Sequence, residues 1–189
     1  MTNQIKSKSN ESSVSLGSLF NMYGSDKDRN GYTSLYNPLF RSRRRDPVDL
    51  LEIGIGTMIY GVHSSMHSYA LPGYRPGGSL RAWRDYFANG KITGADVQPD
   101  TQFEEERIQT LLMDSTKKED VESALAGRAF DYIIDDGSHE AHDQLATLKN
   151  LIGHLKPQGI YVIEDVFEGS PVNTQPEIIR QLFPNLQFF

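Results

Sequence analysis

The chain has 189 residues, of which 19 are basic and 25 acidic, for a net charge of −6, and it contains no cysteine. Its length suits one domain at about 150 residues per domain, and its acidic balance argues against a nucleic-acid-binding surface. The missing cysteines exclude disulfides, thiolate catalysis and cysteine-ligated zinc, and they fit a reducing compartment.

The opening "MTNQIKSKSNESSVS" is polar and has no apolar h-region, so residues 1–15 read as a disordered leader rather than a signal peptide. No apolar run approaches the roughly 20 residues of a membrane span, which together predicts a cytoplasmic protein with its domain over residues 16–189. In "YGSDKDRNGYTSLY" (Tyr23 to Tyr36), Lys27, Tyr32 and Thr33 are expected at the mouth over a ligand, although the turn "RNGYT" by itself accounts for two of them. The basic run "RSRRRD" (Arg41 to Asp46) reads as a solvated loop, with a phosphate contact as the alternative.

Five short apolar runs follow, spaced by stretches of helical period. "VDLLEIG" (Val48 to Gly54) is the first strand. The segment from Thr57 to Gly78 is long, aperiodic and rich in Gly, Ser and Tyr, so it reads as a lid-like insertion or a subunit contact. His63 and His67, four apart within it, read as a surface pair. "SLRAWRDYF" (Ser79 to Phe87) places Leu80, Trp83 and Phe87 on one helical face, with Ser79 as N-cap. Strands are expected at "KITGAD" (Lys91 to Asp96), "IQTLLMD" (Ile108 to Asp114), "FDYIIDD" (Phe130 to Asp136) and "GIYVIED" (Gly159 to Asp165). "EDVESALAG" reads as a helix, and so does "HDQLATLKNLIGHLKPQG", which closes at Pro157 and Gly159. Strands apolar on both faces and alternating with helices predict an α/β fold with a doubly wound, mostly parallel sheet. The helical "PEIIRQLFP" and the apolar "NLQFF" that ends the sequence suggest an edge strand without a following partner, so the C-terminal end of the sheet reads as truncated.

In open α/β sheets, ligands lie outside the carboxyl ends of the strands, and every predicted strand here ends in glycine or acid. Gly54 and Gly56 behind the first strand let backbone approach a ligand, a weak signal that nicotinamide enzymes share. The full G-x-G-x-x-G is missing, because Thr57, Met58 and Ile59 follow. Glu52 would repel a pyrophosphate and suit a cationic ligand such as S-adenosylmethionine. Asp96 is positioned to accept bonds from a ribose diol, and Asp114 to meet an adenine amino group. The pairs Asp135–Asp136 and Glu164–Asp165 would repel one another uncompensated, and such hard oxygen ligands suit Mg²⁺. Helix capping and solvated acids are the bland alternative. Asp135 reads as structural or cofactor-facing, His139 as a base or a loop histidine bonded to backbone, and His142 as the alternative base.

"LLEIGIG", "GGSLRAWRDYF", "ITGAD", "FDYIIDDGSH" and "GIYVIEDV" occur in the order found in class I S-adenosylmethionine-dependent methyltransferases. The chain most resembles the Mg-dependent sugar O-methyltransferases of glycosylated natural-product biosynthesis, of the mycinamicin O-methyltransferase type, over Leu16 to Val166. The resemblance implies a Rossmann-like fold, S-adenosylmethionine as cofactor, Mg²⁺ held by Asp136, Glu164 and Asp165, and His139 as the base. It implies methyl transfer to a hydroxyl of a sugar on a small natural product or nucleotide sugar, in an antibiotic pathway, by a homo-oligomer without nucleic-acid or membrane partners. An aromatic diol as acceptor, a noncatalytic or differently reacting relative of cephalosporin-hydroxylase type, and a nicotinamide-dependent oxidoreductase are the competing readings.

Overall fold

The computed structural model describes residues 14–70 and 73–170. Its sheet has six strands: β1 (Asp49–Ile53), β2 (Lys91–Asp96), β3 (Glu104–Glu105), β4 (Ile108–Leu112), β5 (Phe130–Asp135) and β6 (Leu155–Ile163). They lie in the order β3-β4-β2-β1-β5-β6, all pairs being parallel except β3 with β4. The chain leaves the central strand β1 toward β2 and later returns to its other side at β5. That reversal opens the crevice in which doubly wound sheets bind ligands.

Successive residues of a strand point to opposite faces, and both faces are covered. Leu50, Ile92, Tyr132 and Ile134 pack with α1 (Leu16–Met22), α2 (Tyr32–Phe40) and α3 (Gly78–Tyr86). Leu51, Ile53 and Ile133 pack on the other side with residues of α4 (Lys118–Ala124) and α5 (Ala141–Leu151). The first face is aromatic. Trp83 meets Tyr36 edge-on at a centroid distance of 5.0 Å, and Phe40 lies 4.4 Å from Tyr132, geometries that suit the quadrupoles of the rings. As the periodicity predicts, Leu80, Trp83 and Phe87 are fully buried.

Ser79 does not cap α3. The residue ahead of the helix is Gly77, at φ 83°, a conformation that glycine adopts without steric cost, and no side chain caps the helix there. Nor does the last predicted helix continue to Gly159. It ends in a short 3₁₀ turn at His154, and Leu155 already pairs with Phe130 in β6. The register then jumps, with Tyr132 opposite Ile160, and Gln158 takes φ 64°. A strand interruption of this kind tolerates Pro157, which has no N–H for the ladder. The two-residue β3 was not anticipated, being too short to carry a period.

The basic run is solvated only in part, with Arg41 and Arg45 exposed and Arg43 and Arg44 half-buried. Arg43 donates to Asp131 at 2.8 Å, and Arg44 donates to the carbonyls of Tyr86 and Val14 while lying over the Tyr86 ring. Asp131 also accepts from Lys156 Nζ at 2.9 Å and from the Asp49 N–H at 2.9 Å. The amino ends of β1, β5 and β6 are thus tied at one carboxylate. No helix among the described residues is long and apolar enough to cross a membrane. The polar leader up to residue 13 and the predicted helix and strand after residue 170 lie outside the described residues.

Burial alone would raise the Asp131 pKa, but the Asp49 N–H, Lys156 and Arg43 outweigh it and hold the carboxyl below its usual range. A depressed carboxyl pKa stabilises the fold above the unfolded value, about 3.9, and that stabilisation is lost as pH falls through the folded value. Asp131→Asn is therefore expected to lower the free energy of urea unfolding by about 2 kcal/mol at neutral pH. The difference from wild type should shrink once the pH drops below about 4.

Candidate functional site

The carboxyl ends of the strands are knitted together by backbone. Gly54 N–H donates to the Ala95 carbonyl at 2.9 Å, Asp136 N–H to that of Ile53 at 3.0 Å, and Glu164 N–H to that of Asp135 at 2.8 Å. Gly54 and Gly56 both sit at φ 87°. A Cβ on Gly54 would overlap the Asp136 carbonyl, and one on Gly56 would overlap the Tyr74 hydroxyl. The space that these glycines free is taken by the protein's own atoms, a packing reason that sequence did not supply. They let the end of β1 close against β5 and against the insertion.

Beyond these ends lies a cavity of about 1220 Å³. Gly54, Gly56, Asp96, Asp114 and Asp135 all contribute to its wall. Asp96 accepts from the N–H groups of Ile55 at 2.8 Å and Gln98 at 2.9 Å, and a carboxylate so engaged retains lone pairs for further donors. Burial is the largest influence on the Asp96 pKa and raises it against these bonds. Asp114 accepts from Thr116 and pairs with Lys117 at 3.0 Å; together they overcome burial and lower its pKa. Asp135 is almost wholly buried, and desolvation pushes its pKa up to about 7. One of its oxygens, and the side-chain oxygen of the neighbouring wall residue Gln144, have no hydrogen-bond partner among the described residues. Buried acceptors of this kind call for a donor.

Glu52 departs from its expected place. It is fully buried and forms no part of the cavity wall; one oxygen accepts from Trp83 Nε1 at 2.8 Å and the other lies 3.2 Å from Lys27 Nζ. Its proximity in sequence to Gly54 misleads, because the strand alternation turns its side chain into the aromatic face.

The acids of β5 and β6 meet at one side of the cavity. Ligand atoms of Asp136, His139 and Asp165 all lie within 4.8 Å of one another. His139 Nε2 is 3.1 Å from Asp136 and 3.4 Å from Asp165. Burial would lower the His139 pKa, but its bond to Asp136 and the charges of both acids raise it. The two carboxylates are hard oxygen donors of the kind that fits Mg²⁺, and the imidazole beside them is a group that can take up a proton. Glu164 stands apart from this trio, although it borders the same cavity. Its carboxylate turns inward to accept from Lys27 Nζ at 2.7 Å and from the Tyr36 hydroxyl, and burial pushes its pKa up. His142, the alternative base, is largely exposed, lies outside the cavity wall and faces Asp143 at 3.3 Å.

Lys27, expected at the mouth, does border the cavity, but it lies beneath the acids and is buried, with Asp136 at 2.6 Å. Tyr32 does reach the cavity, donating to Asp165 at 2.8 Å and accepting from the Asp165 N–H, whereas Thr33 bonds Asp28 elsewhere. Tyr36 and Gln144 were not foreseen, and only the helical spacing of Tyr32 and Tyr36 hinted that they share a face.

The Thr57–Gly78 insertion contributes Tyr60, His63, His67 and Tyr69 to the cavity wall. It is held at its base by Asp100, which accepts from Thr57 and the Met58 N–H, and it folds back through a bond from the Met66 N–H to the Thr57 carbonyl. Across the opening, Ser64 donates to the Ser138 carbonyl at 3.4 Å, and His63 lies 4.0 Å from Glu140.

Comparison with known proteins bears on this arrangement directly. The chain is 37 % identical over 138 residues to demethylmacrocin O-methyltransferase of Streptomyces fradiae, a match over 72 % of this chain and 32 % of that protein. It is 36 % identical to mycinamicin VI 2''-O-methyltransferase of Micromonospora griseorubida, over 72 % and 31 % of the two chains. Over this stretch the chain is similar to O-methyltransferases. Its fold matches MycE methyltransferase of the mycinamycin biosynthetic pathway, solved with Mg, SAH and mycinamycin VI, at a TM-score of 0.67 and 33 % identity, covering 80 % of this chain and 39 % of that one. MycE with Mg and SAH in crystal form 1 gives a TM-score of 0.70 at 28 % identity, covering 90 % of this chain and 48 % of that one. The chain thus spans about one third of the length of these curated methyltransferases. No family model matches it.

The glycine at the end of β1 is the tightest point of this methyltransferase-like site. Gly54→Ala must overcome both the left-handed backbone and the Asp136 carbonyl. At Gly31, φ 86°, an added Cβ meets nothing within 4 Å, so Gly31→Ala is expected to cost only the backbone penalty of about 1–2 kcal/mol. Urea unfolding should show Gly54→Ala to be the more costly of the two, and equal costs would contradict the close approach described here.

Proposed function

We propose that the chain is the catalytic domain of a Mg-dependent O-methyltransferase that moves the methyl group of S-adenosylmethionine to a hydroxyl of a sugar on a natural product. The observation that carries this reading is the grouping of Asp136, His139 and Asp165 at the rim of a cavity whose other wall is built from Gly54, Gly56, Asp96 and Asp114. A metal-capable cluster beside a nucleoside-sized crevice is what transfer to an unactivated alcohol requires. A relative from Streptomyces olivaceus, 36 % identical over 80 % of this chain and 37 % of that protein, is by its name a 3'-O-methyltransferase of a rhamnosyl tetracenomycin, which supports a sugar hydroxyl over an aromatic diol.

In this reading, Asp96 accepts hydrogen bonds from the ribose hydroxyls, and Asp114 borders the adenine. The unpartnered oxygens of Asp135 and Gln144 are acceptors for amino or hydroxyl donors of the bound ligands. Asp136 and Asp165 would hold Mg²⁺, with Glu164 on the same cavity as a further ligand. Bound there, the ion supplies Lewis acidity that lowers the pKa of an alcohol. His139 Nε2, between the two acids, receives the proton of the acceptor hydroxyl as that oxygen attacks the methyl in line with the departing sulfur. The contacts from Ser64 and His63 to the β5–α5 loop support the Thr57–Gly78 insertion as a lid over the acceptor. The absence of cysteine from the sequence suits a cytoplasmic enzyme, and Tyr60 and Tyr69, exposed on the insertion, suit a homo-oligomer or an acceptor contact.

Transfer of a radiolabelled methyl from S-adenosylmethionine to a panel of glycosylated macrolides and polyketides is expected to require Mg²⁺ and to stop with EDTA. His139→Ala should retain S-adenosylhomocysteine binding and lower kcat by roughly 10²–10⁴-fold, the range for a positioned general base. Transfer that survives thorough chelation, or a His139→Ala enzyme with wild-type kcat, would overturn the mechanism.

A further inference from the structure

Lys27 is the only lysine among the described residues that is buried, at 2 % exposure. Its ammonium lies 2.6 Å from Asp136, 2.7 Å from Glu164 and 3.2 Å from Glu52. Burying an ammonium is costly, so the arrangement persists only because three carboxylates surround it. The converse holds as well: without a cation, Asp136 and Glu164 would repel each other across the end of the sheet. Asp136 is shared between two sides of the site. Its Oδ2 faces Lys27 inward, and its Oδ1 faces His139, which with Asp165 completes the outer trio.

We propose that Lys27 is the internal counter-ion of the acid cluster. It is a positioning residue whose ammonium keeps Asp136 and Glu164 assembled when no divalent cation does, and which opposes that cation once it is bound. The inference rests on the metal reading given above and adds to it a direction that a purely structural lysine would not have. Two cations that share the same carboxylates compete: each relieves the repulsion that the other would otherwise relieve, and they repel one another at a few ångströms in a partly buried site. Removing the ammonium therefore weakens the metal-free fold and strengthens the hold on the metal, two effects of opposite sign.

Mn²⁺ alone serves as the probe, with two measurements on the full chain: the melting temperature in EDTA, and the Mn²⁺ dissociation constant by calorimetric titration. Lys27→Met, neutral and of similar length, is expected to melt lower than wild type in EDTA and to bind Mn²⁺ at least about tenfold more tightly. Lys27→Gln, neutral but still able to donate a hydrogen bond, should move both measurements the same way, while Lys27→Arg, which keeps the charge, should hold the wild-type affinity. A Lys27→Met protein that melts lower yet binds Mn²⁺ equally or more weakly would overturn the proposal, leaving the lysine a structural prop. If neither neutral variant folds even with Mn²⁺ present, the ion does not substitute for the ammonium and the proposal fails. Wild-type protein that binds no Mn²⁺ would instead overturn the metal reading itself.

Discussion

One buried ammonium, Lys27 Nζ, lies within 3.2 Å of three carboxylates at the carboxyl end of the sheet, and the arrangement of the site follows from that contact. Doubly wound sheets leave a crevice at the switch in strand order, but a crevice filled with acids would be unstable. Here the compensating charge comes from the segment before the first strand, 109 residues from Asp136 and 137 from Glu164. The same segment sends Tyr36 to Glu164 and Tyr32 to Asp165. Helix α2 therefore does more than cover one face of the sheet, since it also holds two of the acids that border the cavity.

The fold and the site depend on each other through Glu52. Its carboxylate joins Trp83, at the centre of the aromatic face, to Lys27, at the floor of the acid cluster. Packing of Tyr36, Phe40 and Trp83 thereby fixes the height of the lysine relative to the strand ends. On the other side of the cavity the close approach of Gly54 to Asp136 sets the spacing between β1 and β5. The crevice is thus bounded by one electrostatic contact and one steric one, and both come from residues that border the strand ends rather than from the long insertion above them.

Much of this was legible in the sequence. The five parallel strands show as largely apolar runs ending in acid or glycine, because a strand covered on both faces presents mostly apolar side chains until it emerges at the crevice. Asp136, Glu164 and Asp165 could be grouped, with His139 beside them, because they follow two such strands that lie side by side, but the inward turn of Glu164 onto Lys27 was not legible. Other features were hidden for physical reasons. Lys27 sits in a polar stretch with no period, and nothing local distinguishes a lysine that will be buried by distant carboxylates from one that stays in water. Glu52 was read as a ligand contact because it precedes the glycines, whereas alternation along β1 turns it into the core. Arg43 and Arg44 looked solvated because their partners, Asp131 and the Tyr86 carbonyl, are far away in sequence. Leu155 to Gln158 continued a helical pattern, and only pairing with β5 converts them to strand.

The central claim is that the acids gathered at the ends of β5 and β6 form the seat of a divalent cation beside the cofactor crevice. A crystal grown with Mn²⁺ and S-adenosylhomocysteine, with diffraction recorded at the manganese absorption edge, tests this most directly. The account predicts one anomalous peak between Asp136 and Asp165, with oxygen ligands at about 2.0–2.3 Å, close to the range for hard cations of this size, and the nucleoside against Gly54, Gly56 and Asp96. Nucleoside density in that crevice with no anomalous peak at the acids, or with a peak confined to the exposed histidines of the insertion, would contradict it.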